Sequence, residues 1–258
     1  MGMVSRCGQW IRSGFGSIAA AIMFYTRLPV PSRWCTKFDR VARYAPAVGL
    51  LIGAILAVAD LGLAFLSVPT ATRSAIIVLL WVSLTGGLHL DGVLDTADGL
   101  AVPPPRRLAV MADSRVGAFG AIAGASLIVL KTVALSDISQ YRGALLLLVA
   151  GWGRWGQQVA IACYPYLRAE GKGAMHKQAL PSFSSTLPNL GLLLLLQWGL
   201  LGSRWPLWWG AMLSGGAAWG TGAWLNWRLG GHTGDTYGAV VEWTEAIALV
   251  AFATVLAA

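Results

Sequence analysis

The stretch Ala75-Ile76-Ile77-Val78-Leu79-Leu80-Trp81-Val82-Ser83-Leu84-Thr85-Gly86-Gly87-Leu88-His89-Leu90-Asp91-Gly92-Val93-Leu94-Asp95-Thr96-Ala97-Asp98-Gly99 decides how the chain is read. It opens as an apolar run of membrane-spanning character and closes on three carboxylates. Asp91, Asp95 and Asp98 stand at i, i+4 and i+7. At about 100° per residue, a helix lines them along one narrow stripe. Three like charges on one stripe repel, and beside a bilayer each is costly to desolvate. Such a stripe is kept when something cationic sits among it. Oxygen ligands without a thiolate favour a hard cation, Mg²⁺ or Mn²⁺. The plainer alternative is a solvated acidic helix end, and the direct growth of the stripe out of an apolar run argues against it.

Composition agrees with a membrane reading. Of 258 residues, 56% are hydrophobic and 12% charged, and the mean hydropathy is +0.64. A soluble domain carries roughly twice that charged fraction. A disordered tail and a disulfide-rich secreted module are excluded. The 13 Trp and 32 Gly suit interfaces and closely packed spans. Cys7, Cys35 and Cys163 lie far apart and form no CxxC or Cys/His spacing, which leaves zinc and thiol catalysis unsupported.

Seven apolar stretches run over Tyr44–Ser67, Ala75–Asp95, Gly117–Leu135, Gly143–Tyr164, Leu187–Leu201, Pro206–Leu225 and Tyr237–Ala258. A shorter one, Phe15–Met23, reads as an interfacial, re-entrant or short first segment. It is a weak candidate for a signal peptide, since no small-residue cleavage site follows. The expected fold is therefore all-α: a single polytopic membrane bundle over 1–258, with about seven transmembrane helices and a short N-terminal apolar segment. If the seven alternate, segments 26–43, 96–116, 165–186 and 226–236 share one face and hold twelve Lys and Arg, against three (Arg73, Arg142 and Arg204) in the opposite loops. That bias makes the first face cytoplasmic. It also accounts for the net charge of +8 without nucleic acid.

The remaining polar features gather on the same predicted face. Asp113-Ser114-Arg115-Val116-Gly117 opens the next helix, with Asp113 either an N-cap or a fourth ligand or base. Gly230-Gly231-His232-Thr233-Gly234-Asp235 is a glycine-rich turn ending in a carboxylate. Tyr164-Pro165-Tyr166-Leu167-Arg168-Ala169-Glu170-Gly171-Lys172-Gly173 is a basic loop. Glu242 and Glu245 follow in the last helix. Lys131 and Arg154 lie inside spans, where a charge faces a cavity or a partner. They read as phosphate ligands, with a structural pair to a carboxylate such as Asp60 as the alternative. His89 lies off the stripe and reads as packing or support. Gly151-Trp152-Gly153-Arg154-Trp155-Gly156 matches GxGxxG but lies in an apolar helix without a βαβ unit, so it is no dinucleotide fingerprint. Gly49/Gly53 and Gly216/Gly220 are GxxxG pairs that could bring helices close.

Together these residues resemble the bacterial cobalamin synthase family, the adenosylcobinamide-GDP ribazoletransferases. The resemblance is carried in order by Phe24-Tyr25-Thr26-Arg27-Leu28-Pro29-Val30-Pro31, by Gly86-Gly87-Leu88-His89-Leu90-Asp91-Gly92 with Asp95-Thr96-Ala97-Asp98-Gly99, and by Asp113-Ser114-Arg115-Val116-Gly117. Lys131, Arg154, Tyr166-Leu167-Arg168-Ala169-Glu170-Gly171 and Thr233-Gly234-Asp235-Thr236-Tyr237-Gly238-Ala239 complete it. Ala112 departs from a common basic residue, and Val93-Leu94 replaces a Leu-Ala pair.

The resemblance implies a multi-pass enzyme of the bacterial inner membrane, with its site on the cytoplasmic face. It would join adenosylcobinamide-GDP to α-ribazole or its 5′-phosphate, release GMP and use Mg²⁺. On that reading Asp91, Asp95, Asp98 and Asp113 are the catalytic and metal-binding carboxylates. Ser114, Arg115, Lys131, Arg154, Arg168 and Asp235 contact substrate phosphates, and His89, Glu242 and Glu245 support them from behind. Asp113 or Asp98 is the candidate for taking the hydroxyl proton. Protein partners compatible with it are a second copy of the chain or other cobalamin-pathway enzymes. The competing readings are a CDP-alcohol-type phosphotransferase, which shares Asp95-x-x-Asp98-Gly99 but lacks the rest of that motif, and a small-solute transporter, which would need a polar route to both faces.

Overall fold

The computed structural model describes residues 3–35, 38–168 and 172–257. Over these the chain is helical: α1 Met3–Tyr25, α2 Ala45–Phe65, α3 Thr70–Thr85, α4 Leu88–Leu100, α5 Arg107–Val110, α6 Ala118–Asp137, α7 Arg142–Cys163, α8 Lys172–Ala179, α9 Leu187–Leu201, α10 Trp205–Leu229 and α11 Gly234–Ala257. The β-structure among the described residues is one isolated bridge, Tyr166 to His232. Prolines enter α2, α9 and α10 in the first turn, where a missing N–H leaves no intrahelical bond unmade.

A helix stands at each of the seven expected stretches, with one correction. Ala75–Asp95 is not one continuous span. Gly86 and Gly87 both take left-handed backbone, φ 63° and 73°, and α4 leaves α3 at 90°. Glycine takes two successive residues of this kind without a Cβ clash. The Asp91 N–H bonds the Gly87 carbonyl at 2.8 Å and opens the new helix. Among the described residues four helical segments are long and apolar enough to cross a membrane: 41–65, 118–137, 183–201 and 234–257. Counting α3 and α4 together as one broken span makes five. α7 and α10 are as long, at 22 and 25 residues, but carry polar or Gly- and Trp-rich sequence. α7 tolerates it because 18 of its residues are buried against other helices. The short segment Phe15–Met23 belongs to α1, whose Ala20, Ala21 and Tyr25 sit in the core.

α7 is the axis of the bundle. α2 lies close against it because Gly49 and Gly53 face the α7 backbone, where any Cβ would collide with Ala150 and Leu147. The Gly216/Gly220 pair, by contrast, faces open space. The GxGxxG run serves the same close packing: Gly151 meets Leu193, Gly153 meets Glu245 and Gly156 meets Thr244.

The helix ends sort into two sets. At one end Asp60 of α2 accepts from Arg142 Nη2 at 2.7 Å and pairs with Arg73 at 3.1 Å. Arg142 also donates to the carbonyls of Leu135 and Ile138, closing the C-terminus of α6. Asp60 is thus committed here, and is not the partner of Lys131 or Arg154. At the other end the basic segments meet. Arg43 Nε donates to the Ala179 carbonyl at 2.8 Å, Arg107 Nη1 to that of Arg228 at 2.6 Å, and Lys177 Nζ to those of Ile161 and Ala162 at 2.7 and 2.9 Å. Large apolar side chains such as Leu61, Phe65, Ile122, Leu195 and Met212 face outward, as a lipid-facing surface requires. Cys35 and Cys163 are free thiols.

Candidate active site

α4 carries the acidic stripe at the basic end of the bundle, and its three carboxylates meet different surroundings. Asp98 is turned into α6. Its Oδ2 accepts the Gly117 N–H at 2.7 Å and its Oδ1 the Gly120 N–H at 2.8 Å. It caps α6 from a neighbouring helix, satisfying amides that have no partner within their own helix. Asp91 is exposed. Asp95, half-buried between them, has Asp91, Asp235 and Asp98 as acidic neighbours and Arg168 as the cation.

Asp235 reaches this group because α4 and α11 touch. A Cβ on Gly92 would strike the Asp235 carbonyl, and one on Gly238 would crowd the His89 backbone. Arg168 comes from the segment after α7, held by two backbone bonds of 2.8 Å, Leu167 N–H to the His232 carbonyl and His232 N–H to the Pro165 carbonyl. Its Nη2 lies 2.9 Å from Asp235 Oδ2, and Thr233 Oγ1 donates to the same oxygen at 3.2 Å. His232 locks the turn. Its Nε2 donates to the Gly222 carbonyl at 3.1 Å and its Nδ1 meets Thr236 Oγ1 at 3.0 Å. Burial pushes the imidazole down to about 4, so it is neutral at physiological pH.

A cavity of about 260 Å³ opens beside these groups, with Asp91, Asp235 and Arg168 in its wall. Further in stand Tyr25, His89, Gln157 and Tyr237. Tyr166 stacks on Tyr237, centroids 6.0 Å apart, and burial raises its phenol above the ordinary value.

Asp113 lies elsewhere. With Arg115 and Asp98 it borders a separate shallow hollow. It accepts from the Arg115 backbone N–H at 3.1 Å and from Nη2 at 2.6 Å. It does not cap α6, whose cap position is Gly117. The Arg115 hydrogen bonds hold its carboxyl down to about 2, which makes it a weak proton acceptor. Ser114 is exposed beside the pair.

Lys131 and Arg154 are placed differently from the phosphate-ligand expectation. Lys131 Nζ is 2.5 Å from both Glu242 Oε2 and Glu245 Oε2, and 4.6 Å from the centre of the Trp81 ring. Arg154 pairs with Glu245 Oε1. Both cations are sealed inside the bundle, 2% and 0% exposed. Two cations and two carboxylates neutralise one another there, linking α6, α7 and α11. Arg154 Nη2 also lies 3.5 Å from His89 Nδ1, which connects this buried quartet to the cavity wall.

Among the described residues no three His, Cys, Asp or Glu side chains converge closely enough to form a metal cage of their own. The stripe and Asp113 thus divide between two surfaces. Ala169, Glu170 and Gly171 of the basic loop lie outside the described residues, as does the Lys172 side chain. Sequence reasoning missed Tyr25, Gln157 and Tyr237. For Gln157 the signal was present, because Gln157-Gln158 is an amide pair inside an apolar run.

The model of the family described as cobalamin-5-phosphate synthase matches residues 17–253. A protein of Trichormus variabilis named adenosylcobinamide-GDP ribazoletransferase is 53% identical over 238 residues, covering 90% of this chain and 94% of its own length. One of Synechococcus elongatus with the same name is 53% identical over 257 residues, covering 94% and 98%. One of Prochlorococcus marinus, again so named, is 35% identical over 263 residues, covering 98% and 99%. No solved structure matches. The chain belongs to the cobalamin-5-phosphate synthase family, and with it to the transferases of cobalamin biosynthesis.

Proposed function

We propose that the chain joins adenosylcobinamide-GDP to α-ribazole or its 5′-phosphate and releases GMP, at the cytoplasmic face of the inner membrane. The observation that carries this is the cavity whose rim bears Asp91, Asp235 and Arg168, with Asp95 among the same charges. A ribose hydroxyl of the acceptor attacks the phosphorus next to the cobinamide arm. The new P–O bond replaces the one to the GMP oxygen, and the hydroxyl proton passes to a carboxylate. Asp98 has both oxygens engaged by backbone amides and Asp113 is tied to Arg115, which leaves Asp91 and Asp95 for that proton. Arg168 orients a phosphate oxygen by charge and hydrogen bonding.

Such a transfer depends on positioning and charge neutralisation. The residues fit Mg²⁺, which is commonly held by one or two carboxylates together with substrate phosphates and water rather than by a protein cage. Asp91 and Asp235 in the cavity wall would hold it together with the substrate phosphates, and bound there it would supply neutralisation of the diphosphate. Like charges grouped at a cavity rim, with one arginine among them, support this reading.

The test is GMP release by detergent-purified protein given both substrates, with and without Mg²⁺. Release that requires acceptor and metal, with a cobalamin product, is the expected result. No release from folded protein overturns the reading.

A further inference from the structure

Asp91 stands in the walls of two adjoining hollows. One is the cavity already described, which it shares with Arg168 and Asp235. The other, of about 640 Å³, opens between the end of α1 and the break that joins α3 to α4, and Arg27, Gly86 and Gly87 stand in its wall with Asp91. Phe24 and Leu88 belong to both hollows, so with Asp91 they form the partition. Among the described residues Arg27 and Asp91 are the only charged ones in the second wall. Both are exposed, and so open to a ligand from solution. The volume lies in the range of small-molecule sites.

Arg27 is held in place there. Its backbone N–H bonds the Leu84 carbonyl at 2.8 Å. Thr26 braces the turn beside it, its Oγ1 donating to the Ile22 carbonyl at 2.7 Å and accepting the Leu28 N–H at 3.1 Å. The arginine stem lies along Gly86, where a Cβ would come within 2.6 Å of Nε and 2.9 Å of Cγ. The left-handed glycine thus both breaks the span and makes room for the arginine. Among the described residues the guanidinium has no hydrogen-bond or ion-pair partner. Water alone satisfies a surface arginine, but a placed stem with an uncommitted fork beside a carboxylate suits bidentate binding of a phosphate. The two hollows also differ in charge. The first has two carboxylates and one arginine, which suits a diphosphate with a divalent cation. The second has its own arginine and only the shared carboxylate, which suits a phosphate monoester without a metal. A transfer between two substrates requires subsites that meet at the reacting centre, and Asp91 in the shared wall marks that meeting point.

We propose that the second hollow is the acceptor's subsite, with Arg27 binding the acceptor's 5′-phosphate and Asp91 standing between the two substrates. The assignment rests on the transferase reading for the identity of the ligands, but its test needs no turnover. GMP, α-ribazole and α-ribazole 5′-phosphate are titrated by calorimetry against the full chain in detergent with Mg²⁺. Wild type is expected to bind the phosphorylated acceptor about tenfold more tightly than the free nucleoside, the scale of one charge-assisted hydrogen bond. Arg27→Met keeps the stem over Gly86 and removes the fork. It should erase that preference and leave GMP affinity and the melting temperature unchanged. Arg168→Met should do the reverse, weakening GMP and sparing the acceptor. Arg27→Lys, which keeps the charge without the fork, should retain part of the preference and serves if Arg27→Met does not fold. Equal binding of free and phosphorylated acceptor by wild type overturns the proposal. So does competition between GMP and α-ribazole 5′-phosphate for one site, or an Arg27→Met variant that keeps the preference or loses GMP instead. A preference that vanishes when phosphatidylglycerol is added assigns the hollow to a lipid headgroup and overturns it as well. Separate binding of the two ligands without GMP release would sink the transferase reading and leave the two subsites standing.

Discussion

Asp91 and Asp98 lie seven residues apart on one stripe of α4, and the structure gives them separate tasks. Asp91 is exposed at the cavity rim, and Asp98 spends both oxygens on α6 amides. Asp91→Ala should reduce GMP release at least a hundredfold, the scale of losing an electrostatic group at a charge-developing centre, and leave thermal unfolding in detergent unchanged. Asp98→Ala should cost about 1–2 kcal/mol of stability, the scale of a lost cap, read as a lower melting temperature. The stripe was legible because helical spacing is a local property. The fate of Lys131 and Arg154 was not, because the glutamates that neutralise them stand 91 to 114 residues away in sequence. His232 carries a pH prediction. Its pKa falls from an ordinary value near 6.5 to about 4 in the fold. Between those values the unfolded chain binds the proton more readily, so stability is full above about pH 6.5 and declines toward pH 4, by about 3 kcal/mol in all. Melting temperatures across that range should show the decline, and His232→Asn should flatten it.

At the scale of elements, the turn between α3 and α4 sets the site. Hydropathy ran straight through it, since Leu88, Leu90 and Val93 are as apolar as the span before them. The two adjacent glycines were the only local sign of a break. Because both take left-handed backbone, an alanine at either position costs about 1–2 kcal/mol in conformation alone. Gly87 faces open space, whereas a Cβ at Gly86 would meet the Arg27 side chain, with Nε at 2.6 Å. Gly86→Ala should therefore lower the melting temperature more than Gly87→Ala. Both should lower turnover by misdirecting α4, measured as GMP release at saturating substrate. The two GxxxG pairs look alike in sequence, and only the neighbours across the interface distinguish the one at Gly49 and Gly53, which packs on α7, from the one that packs on nothing.

Across the whole molecule, the charge asymmetry read from the loops reappears as one end of the bundle, where Arg43, Arg107 and Lys177 hold helix-end carbonyls beside the acidic cavity. In a background without native cysteines, Ala112→Cys should react with a membrane-impermeant maleimide only after the inner membrane is opened. Ser203→Cys, at the opposite end, should react in cells whose outer membrane alone is permeable. The reverse pattern would invert the topology. Helix number and order were largely legible. The exception is the break between α3 and α4; α7 and α10 stand where apolar stretches were expected, although polar or Trp- and Gly-rich faces leave both less plainly apolar than the other spans. The quartet of Lys131, Arg154, Glu242 and Glu245 also orders the birth of the protein. Its cations are translated first, on α6 and α7, and both counter-ions come later, on α11. Until then two unneutralised charges await a partner in or beside the lipid. The middle helices thus gain their neutralising partners only when α11 is inserted beside them.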